Sequence, residues 1–142
     1  MVSFSKGDCF SNFYHCTIKY DSLIFKSAEA AWQAQKTLDI KERESFQHMT
    51  PGNAKRLGRQ VKLRKDWEKI KYDLMVDVCL VKFTQNKDLG EQLLKTGDDL
   101  IEENTTGWHD NLWGNCHCAK CKNIKGQNLL GKALMEVREK LK

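Results

Sequence analysis

The sequence predicts an α+β fold, predominantly helical with a small β-sheet, in a single compact domain over residues 1–142. Three observations support this prediction. The chain has one proline, Pro51, and no low-complexity linker, so nothing marks a domain boundary. Apolar residues recur at steps of three and four over long stretches, which is typical of amphipathic helices. One short stretch alternates apolar and polar residues before a tight turn, which is typical of a β-hairpin.

The hairpin and a helix come first in the chain. We predict strands over residues 16–20 and 23–25, joined by a two-residue turn. Ser27 then precedes a helix that we extend to about Asp39, because a serine hydroxyl accepts a hydrogen bond from the first helical turn. Glu29 adds a carboxylate near the positive end of the helix dipole.

Two further helices are predicted in the middle of the chain. Thr50-Pro51 begins a short helix that ends near Gly58, with proline at its first helical position. The clearest helix runs over about residues 64–84. Its apolar residues recur at steps of three and four and are predicted to face the core; they are Trp67, Ile70, Leu74, Val78 and Val81.

The C-terminal part contains two more predicted helices and a strand. Asn86 is the candidate cap of a short helix that Gly97 closes. A strand is predicted over residues 100–101, and the last helix begins near Gly126 and carries apolar residues as far as Leu141.

The segment 104–125 fits neither the helical nor the strand period. A stretch of about 20 residues without a pattern is uncommon inside a compact domain and is usually functional or disordered. This segment contains two tryptophans, two histidines and three cysteines. We therefore expect it to be functional.

Composition and charge exclude several classes of protein. With 40% hydrophobic and 30% charged residues, the chain is neither disordered nor membrane-spanning. The net charge of +5 is modest, and the lysines are spread along the chain, so the sequence has no nucleic-acid-binding footprint. The first ten residues lack the apolar core of a signal peptide, so we expect a cytoplasmic protein with reduced cysteines and no membrane partner.

A polar row lies on the helix predicted after Ser27. Glu29, Gln33 and Lys36 are spaced i, i+4 and i+7, so they share one helical face, with Trp32 beside them. Such a row is either a solvated face or the polar lining of a pocket. The period alone does not separate these two interpretations.

A second cluster of interest lies in the segment without a period. Trp108 and Trp113 flank Asp110. Stacking a planar base on an indole ring contributes roughly 1–3 kcal/mol, and the aspartate could act on a sugar held beside it. Ordinary core anchoring explains the same tryptophans equally well.

Seven motifs, in order along the chain, resemble those of the NADAR (YbiA-like) family of N-glycosidases. Each motif is weak by itself, but the ordered set is specific and extends from about residue 10 to 141. The chain has Ala30 where the family often has histidine. The motifs are Phe10-Ser-Asn-Phe13, Ser27-x-Glu29-x-x-Trp-Gln-Ala-Gln-Lys36, Leu57-Gly-Arg59, Leu63-Arg-x-x-Trp67, Glu102-x-x-Thr105, Asp110-x-x-Trp113-Gly114, and Gly126-x-Asn128-x-Leu-Gly131 with Leu134-Met-x-x-Arg138.

This resemblance implies a hydrolase that cleaves the bond between a ribose, carried as a phosphate or within ADP-ribose, and a nitrogenous base. The implied substrates are small ribosyl or ADP-ribosyl compounds, such as ribosylamino-pyrimidine intermediates of riboflavin synthesis, or ADP-ribosylated nucleobases, including those in nucleic acid. Two alternatives are kept: an ADP-ribose- or nucleotide-binding module without turnover, and a zinc-binding interaction protein.

Matched residue by residue, the family's glutamate, lysine and aspartate correspond to Glu29, Lys36 and Asp110, which are predicted to be catalytic. A carboxylate near C1′ stabilises an oxocarbenium-like transition state, and a second one activates water or protonates the departing nitrogen. A neutral lysine amine can form a Schiff base with the sugar. No metal or cofactor is assigned to the reaction. The residues predicted to bind substrate are Ser11, Asn12, Phe13, Trp32, Arg59, Trp67, Trp108, Trp113 and Gly114.

The segment 104–125 also holds a cysteine cluster, Cys116-His-Cys118-Ala-Lys-Cys121. Together with His117 or His109 it offers the four nitrogen and sulfur ligands of a zinc site. Zinc modules typically contain two separated cysteine pairs, however, and the chain has no second C-x-x-C. The sequence leaves a zinc site and a loop of reduced thiols both open.

Overall fold

The computed structural model describes residues 1–142 and confirms a predominantly helical α+β fold. A 3-10 turn over Phe46–His48 lies between the second and third helices. The four strands are β1 (Val2–Phe4), β2 (Ile18–Tyr20), β3 (Leu23–Phe25) and β4 (Ile101–Glu103). The six helices are α1 (Ala28–Ala34), α2 (Ile40–Ser45), α3 (Pro51–Gly58), α4 (Trp67–Gln85), α5 (Lys87–Lys95) and α6 (Leu129–Leu141).

Helix α4 lies at the centre of the core, where α1, α5, α6 and β2 all pack against it. The predicted apolar stripe is only partly right. Trp67 and Val78 are buried, but Ile70, Leu74 and Val81 are half-buried. Because neighbours contact α4 on several sides, its buried surface is wider than one stripe; the other buried residues of α4 are Met75, Val76, Cys79, Lys82 and Phe83.

The predicted hairpin is confirmed as β2 and β3, which pair antiparallel with Ile18 opposite Phe25. Asp21 and Ser22 form its turn with φ values of 50° and 67°. Positive φ at both turn residues is the geometry of a two-residue hairpin loop whose twist matches that of the strands.

A second two-stranded sheet pairs β1 with β4 in parallel, and sequence analysis assigned no strand to residues 2–4. The strand predicted at residues 100–101 extends instead to Glu103. Because side chains alternate across a strand, Glu102 and Glu103 point to opposite faces. Glu102 contacts the exposed His117, whereas Glu103 faces the pocket described below.

Helix α1 begins as predicted, with the Ser27 hydroxyl accepting a hydrogen bond from the Ala30 amide at 3.1 Å. It ends at Ala34, not near Asp39. The carbonyl groups that follow find tertiary partners, since the Arg64 amide donates to the Lys36 carbonyl at 2.8 Å. Asp39 instead caps α2, a helix that was not predicted.

The remaining helix ends show two capping residues at their predicted positions and one shifted start. Gly97 adopts φ of 63° just after α5, as predicted. Asn86 is the N-cap residue of α5, as predicted, but its side-chain amide donates to the carbonyls of Thr17 and Lys82 and makes no capping hydrogen bond. Helix α6 begins at Leu129, three residues later than predicted.

No helix of the structure combines the length and apolarity required to cross a membrane.

Lys82 is fully buried in the core and has no carboxylate partner. Its ammonium group donates to the Ser11 carbonyl at 2.9 Å and lies 5.0 Å from the centre of the Phe83 ring. This hydrogen bond ties α4 to the loop that carries Asn12 and Phe13. Burial lowers the pKa of Lys82, because the core penalises the charged form.

We predict that the buried Lys82 makes the free energy of unfolding depend on pH in the alkaline range. A lysine whose pKa is lowered by folding binds fewer protons in the folded state, so the free energy of unfolding rises with pH towards the pKa of the unfolded chain. Lys82→Met should flatten this rise, measured by urea unfolding between pH 7 and 10. Lys69→Met, an exposed site on α4, is the control. Equal pH slopes in Lys82→Met and wild type would contradict the prediction.

Candidate active site

A cavity of about 200 Å³ lies between α1, α3, β4 and the segment 104–125. The charged residues that line it include both acids and bases. The acidic residues are Glu29, Glu103 and Asp110, and the basic residues are Lys6, Lys36, Lys55 and Arg59. The apolar lining comes from Phe13, Trp32, Met75, Trp108, Trp113 and Leu130. The polar row on α1 therefore lies against a pocket and is not a solvated face.

Glu29 is held at the N-terminal end of α1 by contacts on both sides. Its backbone amide donates to the Asn12 carbonyl at 3.0 Å, and the Gln33 side-chain amide donates to its carboxylate at 2.6 Å. Burial raises the pKa of Glu29, and the Gln33 hydrogen bond and the charges of Lys55 and Lys36 act in the opposite direction. The carboxyl group is therefore both fixed in position and easier to protonate than a solvated glutamate.

Gly58 makes room for this arrangement. A Cβ atom at position 58 would overlap the side-chain oxygen of Gln33. That oxygen is buried and has no hydrogen-bond partner. The glycine of the Leu57-Gly-Arg59 motif thus leaves space between α3 and α1 for the Gln33 side chain, which donates to Glu29 one turn earlier on the same helix.

Lys36 follows α1 and is half-buried against two indole rings. Its ammonium nitrogen lies 5.4 Å from the ring centre of Trp32 and 5.8 Å from that of Trp67. Burial lowers the pKa of Lys36, Glu29 raises it, and Arg59 and Lys55 lower it further. Lys36 makes no ion pair within 4 Å of Glu29, which agrees with the two helical turns between them.

Glu103 and Asp110 bring two more carboxyl groups to the cavity. Burial, followed by the nearby carboxylates of Asp110 and Glu29, raises the pKa of Glu103 to about 8. Asp110 is fixed by its Oδ1 atom, which accepts hydrogen bonds from the amides of Leu112 and Trp113, each at 2.9 Å. At neutral pH Glu103 therefore carries a proton beside two other acids.

Aromatic rings form one wall of the cavity. Trp32 contacts Trp67 and Trp113, with ring centres 5.0 Å apart in each pair. The Trp32 indole nitrogen donates to the Lys71 carbonyl at 3.1 Å, which fixes this cluster to α4. Trp108 stands apart from the cluster, and the Lys6 ammonium group lies 4.7 Å from its ring centre.

The structure brings nine of the twelve predicted site residues to the cavity. Ser11, Trp67 and Gly114 do not line it. Ser11 is buried behind the wall, where its carbonyl binds Lys82. Trp67 supports Trp32 from behind, and Gly114 packs against the backbone of Glu103. The nine lining residues are Asn12, Phe13, Glu29, Trp32, Lys36, Arg59, Trp108, Asp110 and Trp113.

Six lining residues were not among the predicted site residues, namely Lys6, Gln33, Lys55, Met75, Glu103 and Leu130. A signal for Gln33 was present, because it shares a helical face with Glu29 and Lys36. For Glu103 the strand alternation would have placed either Glu102 or Glu103 on the site face without deciding which. Lys6 reaches the cavity through chain folding alone, and no pattern in the sequence indicates it.

One further group of potential metal ligands lies outside the cavity lining. It comprises His109, Cys116, Cys118 and Cys121, whose ligand atoms all lie within 4.8 Å of one another. All six cysteines of the chain are free thiols.

Comparison with known proteins supplies a family and a close structural match. The NADAR domain model matches residues 3–142. An N-glycosidase from Nostoc punctiforme is 38% identical over 140 residues, covering 94% of this chain and 85% of that protein. A riboflavin biosynthesis protein from Vibrio vulnificus is 35% identical over 134 residues, covering 92% of this chain and 35% of that protein.

The structural match is to Escherichia coli YbiA, a protein named as an N-glycosidase. Its NMR structure superposes with a TM-score of 0.83 at 36% sequence identity, covering 99% of this chain and 84% of that chain. The structural comparison and the sequence comparison therefore identify the same group of relatives.

The raised pKa of Glu103 predicts how stability depends on pH. A carboxyl group whose pKa is raised by folding binds more protons in the folded state, so stability falls as pH rises from the ordinary glutamate range through about 8. Each pKa unit corresponds to about 1.4 kcal/mol. The isosteric, neutral variant Glu103→Gln should lose less stability than wild type between pH 5 and 9, measured by urea unfolding. The exposed Glu91→Gln is the control, and a wild-type pH dependence in Glu103→Gln would contradict the assignment.

Proposed function

The chain belongs to the NADAR domain family and is an N-glycosidase, and we propose that it hydrolyses the bond between C1′ of a phosphorylated ribose and a nitrogenous base. One observation carries this proposal: Glu29, Glu103 and Asp110 line a single cavity that four cationic side chains also line. The acids supply the proton and the negative charge that glycosidic cleavage needs. The cations supply partners for a phosphate group.

The size of the cavity supports a substrate that is enclosed only in part. Pockets that enclose a drug-sized ligand measure about 300–1,000 Å³, whereas this cavity is about 200 Å³. We propose that it encloses the ribose and its phosphate, and that the base extends towards Trp108. A ribosylamino-pyrimidine phosphate and an ADP-ribosylated nucleobase share this ribosyl unit, so the same pocket suits both classes.

The unequal environments of the acids support a division of roles. Glu103, with a pKa of about 8, holds a proton at neutral pH and suits the general acid that protonates the departing nitrogen. The Asp110 carboxylate suits stabilisation of the positive charge that develops on the sugar. Glu29, oriented by Gln33, suits the base that activates water.

Lys36 has the environment of a nucleophilic amine. Its burial against Trp32 and Trp67 lowers its pKa, so a larger fraction is neutral than in a solvated lysine. In the proposed step the neutral amine forms a bond to C1′ as the C1′–N bond to the base breaks, and a carboxyl group protonates the departing base nitrogen. The sugar ring then opens as one proton passes from the new ammonium nitrogen to the ring oxygen, which leaves a protonated imine. Water adds to C1′ of this imine, which releases the sugar as its aldehyde, restores the amine and returns the proton to the carboxylate.

We predict that Glu29→Gln and Asp110→Asn each lower turnover by at least ~100-fold, because each removes charge needed mainly in the transition state. The assay follows release of free base from a phosphoribosylamino-pyrimidine and from ADP-ribosylated DNA, and its two arms separate a metabolite from a nucleic-acid substrate. Circular dichroism confirms folding, and the exposed Glu91→Gln is the control.

Near-wild-type turnover in both variants would remove these carboxyl groups from the chemistry. Tight binding of ADP-ribose by the wild type, with no product from either substrate over hours, would favour the binding module over the enzyme.

We predict a covalent sugar adduct on Lys36 when borohydride is added during turnover, because reduction converts the imine into a stable amine. Intact-mass analysis and peptide mapping locate the adduct. Lys36→Arg keeps the positive charge but has no primary amine, so it should give no adduct and lower turnover. Lys69→Arg, at an exposed site, should give the wild-type adduct. An absent adduct together with full activity of Lys36→Arg would leave direct attack by water.

A further inference from the structure

Four metal-ligating side chains converge in the segment 104–125, apart from the residues that line the cavity. The Nδ1 atom of His109 lies 3.3 Å from the sulfur of Cys116, 3.3 Å from that of Cys118 and 3.8 Å from that of Cys121. Zn–S bonds of about 2.3 Å and Zn–N bonds of about 2.0–2.1 Å place nitrogen and sulfur about 3.6 Å apart on a tetrahedron. The observed spacings bracket that value.

Hydrogen bonding does not explain this convergence. A ring nitrogen of a neutral imidazole is either a single donor or a single acceptor, so it pairs well with one thiol and not with three. The three sulfurs nevertheless surround the same nitrogen, and no disulfide joins any two of them. Two of the three, Cys116 and Cys121, are also buried. A shared cation accounts for all four positions at once.

The local backbone is built to hold these ligands together. The Cys121 amide donates to the Cys118 carbonyl at 3.1 Å, which forms a tight turn between two of the ligands. The Cys116 amide donates to the side chain of Asn111 at 3.0 Å. The His109 amide donates to the Thr105 carbonyl at 2.9 Å, and His109 adopts φ of 58°. This left-handed conformation is uncommon in a non-glycine residue.

His109 also connects the cluster to the cavity. Its chain neighbours Trp108 and Asp110 both line the cavity, whereas His109 does not. A ligand bond to His109 therefore fixes the backbone between two site residues. Asp110 is held from the other side as well, because the Thr105 hydroxyl donates to its carbonyl at 2.7 Å.

We propose that His109, Cys116, Cys118 and Cys121 bind one structural Zn²⁺ ion, which holds the segment that carries Trp108 and Asp110. Three thiolates with one imidazole form a closed tetrahedral Cys₃His set, which leaves no open position for substrate. Soft sulfur ligands in this geometry select zinc over magnesium or calcium. Binding displaces the three thiol protons and therefore weakens at acidic pH.

The first test is the metal content of the full chain, purified under reducing conditions from zinc-supplemented culture. We expect about one zinc per chain, falling at least fivefold in Cys118→Ser and in Cys121→Ser, since each removes one of four ligands. Cys9→Ser removes a thiol outside the cluster and should keep the metal. Substoichiometric zinc in the wild type, or an equal loss in Cys9→Ser, would overturn the proposal.

A second measurement uses only the wild-type chain, so it does not depend on whether a variant folds. Wild-type chain stripped of metal by a chelator is titrated with Co²⁺, which should give the intense visible bands of a tetrahedral site and a thiolate charge-transfer band, saturating at about one equivalent. Added Zn²⁺ should abolish these bands. A weak octahedral spectrum would overturn the Cys₃His assignment.

The effect of zinc on the segment 104–125 is measured separately, by proteolysis. Lys120, Lys122 and Lys125 are exposed, so trypsin should cut after them faster in the stripped chain than in the zinc-loaded one, as mass spectrometry reports. Turnover should fall at least tenfold on stripping and return with zinc; this last expectation rests on the proposed function. Metal content and proteolysis are measured without substrate, so a failure of the proposed activity leaves both tests valid. Equal cleavage with and without zinc would overturn the positioning role.

Discussion

The hydrogen bond from Gln33 to Glu29 is the interaction on which the rest of the site depends. It orients a buried carboxyl group that the core would otherwise leave without a side-chain partner. Every residue of α1 is buried, and its alanines let α3 and α4 approach closely. Gly58 completes this approach, since any side chain there would occupy the place of the Gln33 amide. Close packing and the geometry of the candidate site are therefore one requirement in this part of the chain.

The cavity combines acids that burial makes easier to protonate with a lysine that burial makes easier to deprotonate. Desolvation is the first cause of all three pKa shifts, at Glu29, Glu103 and Lys36. Burial thus moves the pKa values of groups of both signs towards neutral pH, where proton transfer is most effective. The same burial costs folding energy, which other parts of the core must offset.

The segment 104–125 places Trp108, Asp110 and Trp113 at the cavity without regular secondary structure, because its backbone hydrogen-bonding groups find partners in other ways. Asn104 and Asn115 form an isolated bridge, and the Asp110 carboxylate binds the amides of Leu112 and Trp113. Gly114 lets the chain pass against Glu103, since a Cβ atom there would lie 2.6 Å from the Glu103 carbonyl oxygen. A zinc ion on His109 would add one more constraint on the same backbone. Loops of this kind hold catalytic groups accurately only where such ties are numerous.

The sequence by itself determined the fold class, the hairpin, the Ser27 cap and the family, because local periodicity, turn residues and ordered motifs are encoded in neighbouring residues. It also placed Glu29, Gln33 and Lys36 on one face. Only the tertiary structure decided that this face lines a pocket, that Glu103 and not Glu102 faces it, and that Lys6 reaches it. The last two outcomes depend on the parallel pairing of β1 with β4 across about 100 residues of chain. Likewise, spacing left open which histidine lies beside the cysteine cluster, and only the tertiary structure places the His109 imidazole, and not that of His117, next to the three sulfurs.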